Sequence, residues 1–194
     1  MLEPTIIEYI IAGLLLTLLV FKTLNAWSKN KGKTQKQMKQ AFEDEWGFKR
    51  IGPSRLLYSV LFSLGLILCL YLLFGYQKAT EIQLITIALA LSAPLWEELA
   101  FRRLLFDDLI LNTAYKMHNI NWKKSAFWLS LALSIQALIF VLAHSDTALG
   151  FSYYGRFLMA AIAGLVYIRY DRNIFYPMAV HFAYNLGIIL MNLV

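Results

Sequence analysis

The chain has 194 residues, of which 59% are hydrophobic and 15% are charged. A soluble domain normally holds roughly 45–50% apolar and about 25% charged residues, so this composition excludes an ordinary soluble globular protein. The hydrophobic residues come in blocks, which predicts a single integral membrane domain over 1–194. Much of the positive charge lies in and beside the segment 28–55. We interpret this segment as a basic cytoplasmic loop that contacts anionic lipids, and not as a nucleic-acid site.

Apolar runs in chain order predict an all-α, polytopic transmembrane helical bundle with a polar intramembrane cavity, multi-pass in the cell membrane. About six spans are expected, at approximately 6–27, 56–76, 82–106, 126–144, 157–170 and 174–194. Within the basic loop, "QMKQAFEDEW" suggests an interfacial helix. The polar segment 107–125 is predicted to be a loop with a helical start, in which Asp107 and Asp108 form a solvated face. The tripeptide "DRN" predicts a tight inner turn before the last span.

Three groups of polar residues interrupt these apolar runs: Glu97 and Glu98 with Arg102, then His144, then His181 with Asn185. An ionisable side chain near the bilayer centre costs at least ~2.5–3.5 kcal/mol, so such residues persist where they pair together or serve a function. Glu98 and Arg102 are four residues apart and can form an ion pair on one helix face. Glu97 is rotated by roughly 100° from Glu98 and points elsewhere. One carboxylate is therefore neutralised locally and the other is left for chemistry.

These groups together supply one carboxylate, two imidazoles and one carboxamide. A carboxylate activates water, and an imidazole orients that water or moves its proton. The second imidazole and the carboxamide can donate hydrogen bonds to a developing oxyanion. Such a set can hydrolyse a peptide bond without a protein nucleophile. The alternative is a divalent metal such as zinc, held with an open position by Glu97, His144 and His181.

Three motifs resemble those of a known family in type and in order. The sequence "EELAFR" fits E-E-x-x-x-R, "FVLAH" fits F-x-x-x-H, and "HFAYN" fits H-x-x-x-N. This set is similar to the CPBP family of CAAX proteases and bacteriocin-processing enzymes, also called the Abi family. The resemblance covers a core of roughly 92–187. It implies an intramembrane endopeptidase like the type II CAAX prenyl endopeptidases, acting on prenylated CAAX-type tails or small peptide precursors.

The resemblance also implies roles for individual residues. By motif position Glu97 is the water-activating base, His144 is its partner, and His181 with Asn185 donates to the oxyanion. Supporting roles fall to Glu98, Arg102 and Phe140. One departure is Arg103, where the family commonly has glycine after the motif arginine. We expect Arg103 to extend toward the inner interface.

Other interpretations remain open. The polar groups could form a structural ion cluster, or the chain could be a non-catalytic membrane protein that confers bacteriocin immunity or acts as a scaffold. A small transporter is disfavoured because the sequence shows no internal repeat. Ser145 and Asp146 follow His144 directly, and adjacent residues at a helix end do not give the geometry of a serine-protease triad.

If the spans are straight helices, His144 is predicted to lie at a different depth in the membrane from Glu97 and His181. From Lys124 to His144 is 20 residues, roughly 30 Å of straight helix, which would leave His144 near the outer face. Glu97 and His181 would lie in the inner half. We nevertheless expect the three motifs to converge, either because the fourth helix starts deep or tilts, or because 107–125 is buried and re-entrant.

Overall fold

The computed structural model describes residues 6–74, 84–118, 125–144 and 151–193, and over these ranges all regular structure is helical. The elements are α1 (Ile6–Asn30), α2 (Gln35–Trp46), α3 (Pro53–Phe74), α4 (Leu84–Glu98), a π-helix (Leu99–Leu111), α5 (Asn112–His118), α6 (Ala126–Leu142), α7 (Phe151–Arg169) and α8 (Phe175–Leu193). The all-helical prediction is confirmed for the described part of the chain.

One helix in the described ranges, Pro53–Leu73, is both long and apolar enough to cross a membrane, and Ala126–Leu142 is a shorter apolar helix. The expected six spans therefore stay a prediction. One side of α3 exposes large apolar residues at helical spacing, namely Leu57, Leu61, Leu68 and Leu72. An extended exposed apolar surface of this kind is typical of contact with lipid or with a partner.

The core forms where α3, the π-helix, α6, α7 and α8 meet. Helix α8 packs against α3, α4 and α7, and α6 packs against both α7 and the π-helix. Buried side chains from these elements join in one cluster that includes Phe101, Phe140, Met159, Val180 and Tyr184. Helix α1 lies at the edge and packs on the π-helix and α2. The three motif-bearing segments thus belong to one packed body.

A continuous helical segment replaces most of the loop expected at 107–125. Residues 84 to 118 run without a break through α4, the π-helix and α5, while 119–124 lie outside the described residues. His118 is 21 positions after Glu97, and His144 is 18 positions after Ala126. Because α6 packs back along the π-helix, its rise of about 27 Å returns the chain to the level of Glu97. This extension removes the conflict over the depth of His144.

Asp107 is fully buried, so its assignment to a solvated face was wrong. Its carboxylate contacts the guanidinium of Arg103, that of Arg172 at 2.8 Å, and the Tyr167 hydroxyl at 3.2 Å. The helix does not end at Phe106, and residue 107 therefore faces α7. Asp108, by contrast, is partly exposed and pairs with Lys22.

Arg103 is mostly buried inside the protein, and its position at the inner membrane interface stays a prediction. It ion-pairs with Asp107 and donates to the Glu45 backbone carbonyl, and only 13% of its side chain is exposed. A buried carboxylate requires a paired cation, and Arg103 supplies one. Arg103, which stands where the family commonly has glycine, thus joins α2 to the π-helix.

Helix α2 confirms the helix expected within the basic segment. Thr34 begins it with a capping box: the Gln37 backbone N–H donates to the Thr34 hydroxyl, and the Thr34 N–H donates to the Gln37 side chain. Gly47 ends it at φ +74°, and a Cβ there would lie 2.5 Å from the Arg172 carbonyl oxygen. The Gly47 carbonyl accepts from the Ile174 N–H at 2.9 Å. Residues after α2 therefore pack on the "DRN" turn, which has the tight form expected.

Candidate active site

Glu97, His144 and His181 come together although they lie on three different helical segments. Glu97 lies near the end of α4, His144 directly follows α6, and His181 is on α8. Glu97 Oε2 is 3.4 Å from His144 Nε2 and 3.7 Å from His181 Nε2. The structure therefore brings together the three residues expected to converge.

Glu98 faces away from Glu97 and lies in a fully buried ion pair. Arg102 Nε is 2.9 Å from Glu98 Oε2, and Arg102 Nη2 donates to Glu98 Oε1 at 3.3 Å. His181 Nδ1 is 2.9 Å from the same Oε1 atom. The ion pair predicted from the four-residue spacing is present, and it also contacts an imidazole from α8.

The hydrogen-bond partners of the two imidazoles fix which ring nitrogen carries a proton. His144 Nδ1 lies 2.7 Å from the Phe140 carbonyl oxygen, which can only accept. His181 Nδ1 meets the Glu98 carboxylate, which likewise accepts. Each Nδ1 must donate, so in the neutral rings both Nε2 atoms present lone pairs to Glu97.

Phe140 holds the orientation of this group by aromatic packing. Its ring centroid is 4.4 Å from that of His144 and 5.6 Å from that of His181, the latter edge-to-face. Phe101 packs edge-to-face on it at 4.8 Å, and the Arg102 guanidinium lies 5.7 Å from the ring centroid. Such contacts favour defined ring orientations, so the motif phenylalanine orders both imidazoles.

A cavity of about 190 Å³ adjoins these groups. Its lining combines the polar side chains with small and apolar ones, namely Ala90, Ala93, Glu97, Phe140, His144, Arg156, Met159, His181, Tyr184 and Asn185. This volume holds more than one water molecule beside the carboxylate. That the cavity lies within a bilayer remains a prediction.

Asn185 lines the cavity but is also tied to α4. Its Nδ2 donates to the Ala90 carbonyl at 2.7 Å. A carboxamide nitrogen carries two hydrogens, so this bond leaves a second donor on the same atom. The structure thus places Asn185 beside the other groups, and its role as an oxyanion donor stays a prediction.

Three further residues contribute to the site and were not found from the sequence. Gln136 binds Arg102, and its spacing from Phe140 and His144 by four and eight residues was the available signal. Arg156 lines the cavity and donates to the His144 carbonyl at 3.3 Å. Tyr184 lines it too, and its hydroxyl occupies the space that a Cβ at Gly155 would need. Arg156 lies outside the three motifs, and Tyr184 lies at a variable position of H-x-x-x-N.

The residues fit zinc in donor type but not in arrangement. Each imidazole donates through Nδ1 to an oxygen acceptor, as metal-binding histidines do, and its Nε2 faces Glu97. Among the described residues, however, no group of three or more His, Cys, Asp or Glu side chains has the geometry to hold a metal ion. Metal binding by Glu97, His144 and His181 stays a prediction.

The fold and the site define a helical protein whose adjacent carboxylates lie on α4 and whose imidazoles come from the end of α6 and from α8. The family model described as type II CAAX prenyl endopeptidase, Rce1-like, matches residues 79–187, more than half of the chain and all three motifs. The chain belongs to this membrane-embedded protease family, which confirms the resemblance drawn from the motifs. No curated protein and no solved structure matches the chain.

Proposed function

We propose that this protein is an intramembrane endopeptidase that hydrolyses a peptide bond with water activated by Glu97. The observation that carries the proposal is the buried Glu97 Oε2, which faces the Nε2 atoms of His144 and His181 at 3.4 and 3.7 Å. A carboxylate so placed accepts a proton from water. Membership of a protease family gives this chemistry its expected substrate, a peptide bond.

In the first step, water donates one hydrogen to Glu97 Oε2 and the other to His144 Nε2. Both are acceptors, so the water oxygen turns its lone pairs toward the substrate carbonyl. The oxygen bonds to the carbonyl carbon, its proton passes to Glu97, and the carbonyl electron pair moves to oxygen as an oxyanion. Glu97 then gives the proton to the amide nitrogen as the C–N bond breaks, which releases an amine and a carboxylic acid.

His181 and Asn185 stabilise the oxyanion in this scheme. His181 Nδ1 already donates to Glu98, so Nε2 can donate only when the ring is the imidazolium. The Glu98 carboxylate stabilises that charge, as an acid oriented behind a histidine does in other hydrolases. Asn185 contributes the hydrogen that its bond to Ala90 does not use.

We propose prenylated CAAX-type tails or small peptide precursors as substrates. The family description names prenyl CAAX substrates, and a cavity of about 190 Å³ admits an extended segment and not a folded chain. The basic segment favours substrate approach along the membrane. On α2, Lys36 and Lys39 are exposed together with the apolar Met38 and Phe42, a combination suited to anionic lipid at the cytoplasmic surface of the cell membrane.

The test is a cleavage assay on purified protein in liposomes. Wild type, Glu97→Gln and the exposed-site control Asp44→Asn are incubated with a prenylated CAAX peptide, its unprenylated form and a small precursor peptide, and products are identified by mass spectrometry. We expect wild type and the control to cleave at least one peptide and Glu97→Gln to lose essentially all activity. Equal cleavage by Glu97→Gln would overturn the role of Glu97.

Two further outcomes separate the alternatives. A chelator such as 1,10-phenanthroline should leave activity unchanged, whereas a loss restored by zinc would assign a metal-assisted mechanism. Folded wild-type protein that cleaves none of the peptides would favour a non-catalytic role, in bacteriocin immunity or as a scaffold.

A further inference from the structure

Gln136 is a fully buried amide on α6 that bonds at both ends. Its Nε2 donates to the Ala160 carbonyl on α7 at 2.9 Å, and its Oε1 accepts from Arg102 Nη1. A carbonyl can only accept, so the Ala160 bond fixes the amide with its oxygen toward Arg102. Gln136 is not among the residues that line the cavity. Its side-chain link to the site is therefore Arg102.

Arg102 passes the positional constraint from Gln136 to Glu98, because its guanidinium group is rigid and planar. Nη1 is held by Gln136, while Nε and Nη2 meet the two oxygens of Glu98. Fixing one nitrogen fixes the plane, and the plane sets where the Glu98 carboxylate can lie. Without the amide oxygen, Nη1 would be a buried donor with one fewer partner, and the guanidinium would turn to find another.

Glu98 passes the constraint to the imidazole. Its Oε1 is shared between Arg102 Nη2 at 3.3 Å and His181 Nδ1 at 2.9 Å. Rotation of the carboxylate would shift the acceptor that keeps the proton on Nδ1. The far nitrogen of the same ring is the one that faces Glu97 at 3.7 Å.

We propose that Gln136 is a positioning residue for the hydrolytic centre, holding His181 in register with Glu97 through Arg102 and Glu98. This rests on the proposed function for its catalytic consequence. Gln136, Phe140 and His144 lie four residues apart in turn on one face of α6. Helix α6 thus places His144 directly and His181 indirectly, so that one helix sets both imidazoles relative to Glu97.

The first test is kinetic and uses Gln136→Leu in the full-length protein. We expect kcat to fall by about 10–100-fold, as for residues that orient catalytic groups without touching substrate. KM should stay within about twofold, because Gln136 lies outside the cavity. Gln136→Met keeps a similar shape without either hydrogen bond and should show the same loss, so it serves if Gln136→Leu does not fold. Tyr167→Phe is the control, since it removes a buried hydrogen bond to Asp107 and should leave kcat unchanged.

A double-mutant cycle separates positioning from general packing. Once Arg102→Met has removed the intermediate residue, adding Gln136→Leu should cost less than about twofold further. If the losses in kcat from Gln136→Leu and Arg102→Met simply multiplied in the double variant, the proposal would be overturned, because Gln136 would then not act through Arg102. A KM change as large as the kcat change would overturn it too.

An activity-independent measurement keeps this proposal distinct from the proposed function. The chain has three histidines, and ¹⁵N-histidine labelling in micelles reports the proton on each ring nitrogen. We expect Gln136→Leu to shift the His181 signals and to leave those of His144 in place, while Tyr167→Phe shifts neither. Unchanged His181 signals in Gln136→Leu would refute the positioning role, even in active protein. If the wild type cleaves no peptide, the proposed function fails and the histidine signals still decide the positioning role.

Discussion

His181 Nδ1 lies 2.9 Å from Glu98 Oε1, while Nε2 of the same ring faces Glu97. The two adjacent carboxylates therefore contact opposite nitrogens of one imidazole. Glu98 is neutralised by Arg102 and sets the tautomer, which leaves Glu97 as the carboxylate that can take a proton. The different roles of Glu97 and Glu98 thus follow from their contacts with different nitrogens of His181.

Glu98→Gln should be destabilising as well as inactivating. The change leaves the Arg102 charge buried without its counter-ion, and breaking such a pair costs about 3–5 kcal/mol. Thermal unfolding in detergent should show a clear loss of stability, and peptide cleavage should fall to the level of Glu97→Gln. The double variant Glu98→Gln/Arg102→Met removes both charges and should regain stability without activity. A double variant no more stable than the single one would contradict this account.

Phe140→Leu should reduce activity more than stability. The leucine preserves most of the buried volume but loses the ring contacts to both imidazoles, each worth about 0.5–1.5 kcal/mol. We expect a lower kcat with a melting temperature close to that of wild type. Phe127→Leu, at an exposed position, is the matched control and should change neither. Full activity in Phe140→Leu would mean that ring packing does not order the histidines.

Asp107→Asn should destabilise the protein and leave the chemistry of the cavity intact. The variant leaves Arg103 and Arg172 without the buried carboxylate that both contact, a loss of about 3–5 kcal/mol. Unfolding in detergent measures the effect, and activity per folded molecule should stay close to wild type. Asp108→Asn is the control: its pair with Lys22 is partly exposed, so the change should cost less than about 1 kcal/mol. Equal destabilisation by the two variants would contradict the buried role of Asp107.

Gly47→Ala should separate the segment after α2 from the turn before α8. The residue adopts φ +74°, and the new Cβ would meet the Arg172 carbonyl oxygen at 2.5 Å. Left-handed backbone alone costs roughly 1–2 kcal/mol with a side chain, and the clash adds to it. Gly32→Ala is the matched control, because Gly32 has φ +93° with open space around it. Protease accessibility of residues 47–50 should rise in Gly47→Ala and not in Gly32→Ala.

The parts of the site that depend on helix spacing were predictable from the sequence. Glu98 and Arg102 pair because residues four apart share a helix face, and Glu97 diverges for the same reason. The family followed from three motifs in order, and the family match over 79–187 confirmed it. Asp107 was misjudged because its polarity was taken to end the helix. Arg172 and Tyr167, whose contacts stabilise the buried carboxylate, are about 60 residues away in sequence.

The sequence by itself determined the helical class, the family, and which acid is neutralised along its own helix. Only the tertiary structure decided that the helix continues to His118, so that α6 returns His144 to the level of Glu97. It also decided which carboxylate holds His181 and that Gln136 anchors Arg102. The physical reason is the sequence separation of the interacting residues. Helical periodicity relates residues four positions apart and can be recognised in the sequence, whereas burial and hydrogen-bond direction depend on atoms from other helices.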